Sequence, residues 1–355
     1  MKICFLVGDI NKTGGTERVC LIIANELSKK NDVTILSMKN GLNPRFKRVS
    51  NVKIDSLNLE TTNGFFRRKI KPYLKLKKYL KDTPQDILIN VDVILALYSI
   101  PMKLFYKIKI VSWEHFNFRI NNGTRNRDYA RKISARFADC IIVLTDADLS
   151  EYKKKLRMKS SIVRIYNPIC GHVSNSNKKE KIVLASGRFA YQKNFQELIN
   201  IWEIVEKKDN EWKLIICGDG DEMDEIKNMI KSKNLNNVIL PGFCEDMDEY
   251  YNQASVFVMT SRYEGFPMVL LEAQQHSIPL IAYDCFTGPS EIICNNKNGY
   301  LIKNGDRKDF ANKLFILMNN QNKLTEFSKN SYDYIRKYDI SNIIKEWEKL
   351  LNNLK

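Results

Sequence analysis

Apolar and polar positions along the chain follow two rhythms. Short apolar runs recur, bounded by polar or glycine positions, and longer segments between them carry their apolar residues on one helical face. Lys2–Val7, Val33–Ser37, Asp86–Ile89, Ile108–Trp113 and Cys140–Leu144 read as buried strands. Thr16–Lys29 reads as a helix with Val19, Leu21, Ile22, Ile23, Ala24 and Leu27 largely on one side. Phe65–Lys81 reads as a basic helix. From Asn167 to Lys179 the composition is that of a linker. A second series then begins, with strands at Ile182–Ser186, Trp212–Cys217, Val238–Leu240, Val256–Met259 and Leu280–Tyr283. Helices near Asn194–Lys207, Glu222–Lys233, Met268–His276 and Asp309–Met318 separate them, and Ser341–Leu354 is amphipathic. This alternation predicts an α/β fold of two doubly wound, Rossmann-like domains, 1–168 and 169–337, each with a parallel sheet covered on both faces. Ligands of such sheets bind at the carboxyl ends of the strands. The chemistry is therefore expected in an inter-domain cleft.

Composition narrows the class. The 355 residues are 44% hydrophobic, enough for two cores. No apolar run approaches the ~18–20 residues of a membrane span, and the first run is too short for a secretory signal. Eight scattered cysteines with no C-x-x-C pair predict free thiols in a reducing, cytoplasmic setting. Three histidines without ligand spacing point to no metal site. The net charge is +16 and is unevenly spread. Residues 1–168 hold 33 Lys and Arg against 15 Asp and Glu, whereas 169–355 hold 24 against 26. One half is thus suited to an anionic surface.

The sharpest chemical pattern is the segment from Arg262 to Glu272. A strand runs into a loop, and the loop opens a helix near Pro267, a residue that suits the first helical turn. Backbone N–H groups of Met268, Val269 and Leu270 are then available to an anion. Glu264 in the loop and Glu272 on the helix flank that helix end, although both also fit the reading of ordinary surface acids. Gly14-Gly15 follows the first strand and precedes a helix, where glycine lets backbone N–H groups approach a phosphate or sugar. It is not a G-x-G-x-x-G fingerprint, so no nicotinamide cofactor is expected.

Glu264 and Glu272, with seven residues between them, resemble the E-x7-E motif of retaining family-4 glycosyltransferases of the GT-B fold. The resemblance extends along nearly the whole chain. Gly14-Gly15-Thr16-Glu17-Arg18 is similar to the family's glycine loop, and Ser186-Gly187-Arg188-Phe189 with Lys193-Asn194 to its phosphate-binding pair. Cys217-Gly218-Asp219-Gly220 and Pro241-Gly242-Phe243 resemble its nucleotide-pocket loops. The run Thr287–Ile293 resembles a variant found in capsule, O-antigen and lipid-linked oligosaccharide enzymes, galactosyl- and N-acetylgalactosaminyl-transferases among them.

The resemblance implies roles. Glu272 would bind ribose hydroxyls, Glu264 the donor sugar on its reacting face, and Arg188 and Lys193 the diphosphate. Gly15, Gly187, Gly218, Phe243, Gly265, Phe266, Pro267, Met268 and Val269 would line the donor pocket. Fixed cations at a leaving diphosphate stabilise charge that develops in the transition state, and no metal or other cofactor is then needed. His115, at the end of the strand Ile108–Trp113, would hydrogen-bond the donor sugar or acceptor without serving as the base; a structural histidine is the other reading. The N-terminal domain would bind the acceptor and the C-terminal domain a nucleotide sugar, UDP-linked. A tail helix, 338–355, would cross back onto the N-terminal domain.

The segment Phe65–Lys81 carries eight basic residues and no acid. Phe65, Phe66, Ile70, Tyr73, Leu76 and Leu80 share one side, and most cations, including Arg67, Arg68, Lys71, Lys75 and Lys78, take the other. That is the pattern of an interfacial helix on anionic lipid; a core-packed helix with a solvated basic back fits it too. A similar helix in lipid-linked oligosaccharide transferases contacts the acceptor pyrophosphate, which implies an undecaprenyl-diphosphate glycan acceptor and a peripheral position on the inner face of the plasma membrane. No nucleic-acid module accompanies the stripe. Transfer of a hexose or N-acetylhexosamine with retention, in bacterial surface polysaccharide synthesis, is the expected activity. A sugar-nucleotide 2-epimerase and a non-catalytic nucleotide-sugar-binding protein are the alternatives.

Overall fold

The computed structural model describes residues 1–12, 14–39, 41–42, 51–59, 70–121, 123–169 and 179–355. They form two compact units, Met1–Pro168 together with Ile340–Lys355, and Ile169–Asp339.

The first unit is built from β1 (Lys2–Val7), α1 (Gly15–Leu27), β2 (Asp32–Ser37), β3 (Val52–Ser56), α2 (Lys71–Asp82), β4 (Ile87–Asn90), α3 (Ala96–Ser99), β5 (Lys109–Trp113), α4 (Arg125–Phe137), β6 (Cys140–Val143), α5 (Asp146–Lys155) and β7 (Ser161–Arg164). Its seven strands are parallel, in the order β3-β2-β1-β4-β5-β6-β7. The central strands are apolar nearly end to end because helices cover both faces.

The second unit runs β8 (Ile182–Ser186), α6 (Phe195–Glu206), β9 (Lys213–Cys217), α7 (Met223–Ser232), β10 (Val238–Gly242), α8 (Asp248–Gln253), β11 (Val256–Met259), α9 (Met268–Gln275), β12 (Leu280–Tyr283), α10 (Pro289–Ile292), β13 (Gly299–Ile302), α11 (Arg307–Met318) and α12 (Gln321–Ile335). Six parallel strands are ordered β10-β9-β8-β11-β12-β13. Trp202, Phe189, Ile216, Val258 and Phe310 are at the heart of its core. Strand order reverses between β1 and β4 in one sheet and between β8 and β11 in the other. Loops diverge at those points and leave a crevice at the strand carboxyl ends.

The tail, α13 (Ile340–Asn353), belongs to the first unit. It buries Ile343, Trp347, Leu350 and Leu351. The Trp347 ring lies 6.3 Å from Phe5 and 4.8 Å from Trp113. Each such side chain contributes about 1.5–3 kcal/mol by leaving water. The tail joins the first unit at Ile340, whereas the resemblance implied a tail helix from 338. Tyr338 is held in the second unit, its hydroxyl on the Glu291 carbonyl and its ring against Phe266.

Several elements escape the sequence pattern, for physical reasons. β3 and β7 are sheet edges and lack a continuous apolar run. α4 is hydrophilic on average, because two of its buried residues are Arg127 and Arg131. The expected basic helix 65–81 is described only from Ile70; Arg67 and Arg68 lie outside the described residues. Pro72 occupies the first turn of α2, where its missing N–H costs nothing. Its apolar side does not remain free. Leu76 and Leu80 enter the core with Leu88, Leu95 and Ile110. No helix among the described residues is long and apolar enough to cross a membrane.

Candidate active site

Loops after β8, β9, β10 and β11 meet at the switch point of the second sheet. The Gly187 N–H donates to the Cys217 carbonyl (3.0 Å), and the Gly218 N–H to the Gly242 carbonyl (2.8 Å). The Phe189 N–H donates to the Asp219 carbonyl (2.9 Å). Contact is close enough to demand glycine: a Cβ on Gly218, at φ +140°, would lie 1.9 Å from the Gly187 oxygen. These bonds bring Gly187, Gly218 and the Gly242–Phe243 turn together. The Phe243 ring is left 62% exposed.

Lys193 and Glu264, far apart in sequence, form a largely buried ion pair, Nζ to Oε1 2.7 Å. The lysine stem lies against Gly187, whose Cβ would sit 3.0 Å from Lys193 Cε. The Gln192 amide donates to Glu264 Oε2 (3.2 Å) and to the Tyr263 carbonyl (3.1 Å). Two more bonds zip the loops together: the Arg262 N–H to the Gln192 carbonyl (2.8 Å) and the Thr260 hydroxyl to the Asn194 carbonyl (3.1 Å). On the other side of the loop, the Thr287 N–H and hydroxyl donate to the Glu264 carbonyl, and the same hydroxyl reaches the Gly265 carbonyl (3.0 Å). Gly288 abuts Pro267, where a Cβ would come within 2.5 Å of the ring. Beside the pair, burial together with the Glu264 charge pushes the Cys285 thiol up to about 12, so it stays neutral.

The helix start differs in detail from the expectation. Pro267 is the residue that precedes α9, with extended ψ, rather than a member of its first turn. The Leu270 N–H is taken by the Pro267 carbonyl (3.1 Å). Met268 and Val269 are then the first two helical positions, whose N–H groups have no acceptor within the helix. Glu272 follows one turn in and accepts the Tyr251 hydroxyl (2.9 Å). Arg188 is exposed on the β8 loop. Phe266 is buried against Tyr338. Gln192 gave no sequence signal, because an amide between an aromatic and a lysine has no distinctive pattern.

In the first unit Gly15 opens α1 after an extended Gly14. Burial raises the Glu17 carboxyl, with Asp9 and Asp92 adding to the rise. His115 lies beyond the end of β5, 9% exposed, its ring 4.3 Å from Trp113. Burial lowers its imidazole to about 4, so it is neutral at physiological pH; Asp92 opposes the shift and Arg127 assists it. Its Nε2 is buried without a hydrogen-bond partner among the described residues.

The neighbouring Glu114 anchors a network that the sequence did not announce. It accepts from Arg131 Nε (2.8 Å), Arg127 Nη1 (3.0 Å) and the Tyr152 hydroxyl (3.0 Å). Arg127 also grips Asp92 with two bonds, 2.8 and 2.9 Å. Burial lifts the Glu114 carboxyl while the two guanidinium groups pull it back. Burial alone would lower both arginines, but Asp92 and Glu114 raise Arg127, and Glu114 and Tyr152 raise Arg131. The available signal was an acid directly after an apolar strand, with arginines four apart on the next helix. Among the described residues no group of three or more His, Cys, Asp or Glu side chains is arranged to hold a metal ion.

Two Rossmann-like parallel-sheet units, with ion-paired and glycine-rich loops gathered at a switch point, define a GT-B glycosyltransferase. The profile described as Glycosyltransferase Family 4 matches residues 13–170, and that described as Glycosyl transferases group 1 matches 172–334. The amylovoran biosynthesis glycosyltransferase AmsD of Erwinia amylovora is 31% identical over 369 residues, covering 99% of each chain. A Campylobacter jejuni protein is 28% identical over 365 residues, covering 100% of this chain and 99% of its own. It is the GalNAc-alpha-(1->4)-GalNAc-alpha-(1->3)-diNAcBac-PP-undecaprenol alpha-1,4-N-acetyl-D-galactosaminyltransferase. A TarM variant from S. aureus, crystallised with fondaparinux, alpha-GlcNAc-glycerol and UDP, superposes with a TM-score of 0.84 at 21% identity. That match covers 99% of this chain and 100% of TarM. The chain belongs to the family-4 glycosyltransferases.

Proposed function

We propose that this enzyme moves a hexose or N-acetylhexosamine from a UDP-linked donor, with retention, to a lipid-linked glycan during synthesis of a bacterial surface polysaccharide. The observation that carries the reading is the Lys193–Glu264 pair at the β8/β11 switch point, 2.7 Å apart and largely out of water. A cation and a carboxylate held there suit the two halves of a nucleotide sugar. Lys193 and Arg188 would neutralise the diphosphate as it leaves and gains charge. Glu264 would accept sugar hydroxyls, and Glu272 the ribose hydroxyls. The N–H groups of Met268 and Val269 add a positive helix end. With these cations in place the transfer needs no metal. The second unit would thus bind the donor, and neutral His115 of the first unit would be a hydrogen-bonding group for donor sugar or acceptor. Relatives support the class of substrate: the Campylobacter enzyme is named for an undecaprenol-linked acceptor, and TarM was crystallised with UDP.

The exposed cations of α2 support attachment to an anionic membrane, although not all serve equally. The Lys75 ammonium donates to the Leu57 (2.6 Å) and Asn58 (3.1 Å) carbonyls, so exposed Lys78 and Lys81, with half-buried Lys71, would be the headgroup contacts. A thermal-shift panel of UDP- and GDP-sugars tests the donor. One UDP-sugar at 100 times its Kd should raise stability by about 2.7 kcal/mol. Stabilisation by GDP-sugars alone, or by none, overturns the donor reading. Incubation of that donor with lipid-linked glycan extracts, followed by NMR of the new anomeric centre, tests acceptor class and retention.

A further inference from the structure

Tyr191 and Phe243 are the exposed aromatic side chains among the described residues of the second unit, 65% and 62% accessible. Both are on loops at the carboxyl edge of the sheet. Tyr191 is on the same loop as Lys193, the ion-pair partner of Glu264. Phe243 belongs to the nucleotide-pocket turn already described. Tyr191 is not accounted for by it.

The Tyr191 ring is held in place. Arg262, from the β11 loop, lays its guanidinium over one face at 4.0 Å from the ring centroid. Its Nη1 also donates to the Tyr191 carbonyl, and its own N–H donates to the Gln192 carbonyl. The next residues on, Gln192 and Lys193, both contact Glu264. One face of the ring is therefore covered and held by Arg262, while the residue as a whole stays 65% exposed. A pyranose presents a flat patch of C–H groups that stacks on an aromatic face, and its hydroxyls bond to a neighbouring cation. Because Arg262 fixes the ring beforehand, little entropy is lost on binding.

We infer that Tyr191, backed by Arg262, is a stacking platform for a sugar ring of the acceptor glycan. This deepens the proposed transfer to a glycan and rests on it. The donor sugar belongs at buried Glu264; a ring two-thirds exposed suits a sugar lying outside that position. Saturation-transfer NMR tests the platform with methyl α-galactopyranoside, methyl N-acetyl-α-galactosaminide and methyl α-glucopyranoside, each with UDP present as an internal reference. At least one glycoside should receive saturation on its ring C–H protons. Tyr191→Ala should cut that signal several-fold and leave the UDP signal unchanged, Tyr191→Phe should keep both, and Arg262→Gln should weaken the glycoside signal.

An equal glycoside signal in Tyr191→Ala, or no signal in the wild type, overturns the platform. Loss of the UDP signal in Tyr191→Ala would assign the ring to the donor instead and overturn it equally. If UDP fails to bind the wild type while a Tyr191-dependent glycoside signal remains, the platform stands and the donor reading falls.

Discussion

His115 makes the pH dependence of this enzyme's stability calculable. In the folded chain its imidazole accepts a proton only near pH 4, because burial against Trp113 penalises the charged form. In the unfolded chain it does so near the ordinary value of 6.5. Between these values the unfolded state binds a proton that the folded state refuses. Stability is therefore fully present above the unfolded value and falls as pH drops toward 4. A gap of about 2.5 in pKa is worth about 3 kcal/mol. For a unit of this size the corresponding loss in Tm is roughly 6–12 °C. Other groups titrate over the same range, so the measurement is a difference. Urea unfolding of wild type and His115→Gln, from pH 7.5 to 4, isolates the imidazole. The glutamine side chain cannot titrate, so the stability gap between the two proteins should shift by about 3 kcal/mol in favour of the variant at the acid end. Parallel curves would show that the imidazole titrates alike folded and unfolded, and would refute the argument from burial.

Lys193→Ala removes the partner of buried Glu264 and, in the proposed transfer, a cation for the leaving diphosphate. Transfer should fall by roughly 10²–10³-fold, and Tm should drop, because a buried carboxylate left unpaired costs about 3 kcal/mol or more. Gly218→Ala places a methyl 1.9 Å from the Gly187 oxygen. It should cost about 2 kcal/mol or more and weaken UDP stabilisation in the same thermal-shift experiment. Arg131→Met strands Glu114 with fewer donors; a loss of about 3–5 kcal/mol in denaturant unfolding is expected, and a loss under about 1 kcal/mol would mean that the network is not needed for stability. Trp347→Ala opens a cavity beside Phe5 and Trp113, and denaturant unfolding should show a cost of about 3–5 kcal/mol.

What the sequence alone determined follows from local physics. Apolar runs such as Lys2–Val7 and Val256–Met259 must be buried on both faces, so the α/β class and most central strands were legible before any coordinates. Glu264 and Glu272 stood out through the resemblance of their spacing to a family motif, which a single loop and helix start can carry, while spacing alone left them as ordinary surface acids equally well. Edge strands and the polar helix α4 were not, since their apolar content is low and their place depends on neighbours. Only the tertiary structure brought Lys193 to Glu264, 71 positions further along, and Arg131 to Glu114. Such pairs depend on which strands are adjacent at a switch point, and strand order is set by packing of the whole sheet rather than by any segment. The same holds for α2, whose spacing marked one side as apolar. The core of the first unit decided that this side faces inward, with Leu76 and Leu80 buried while Leu74, Lys78 and Lys81 stay in water.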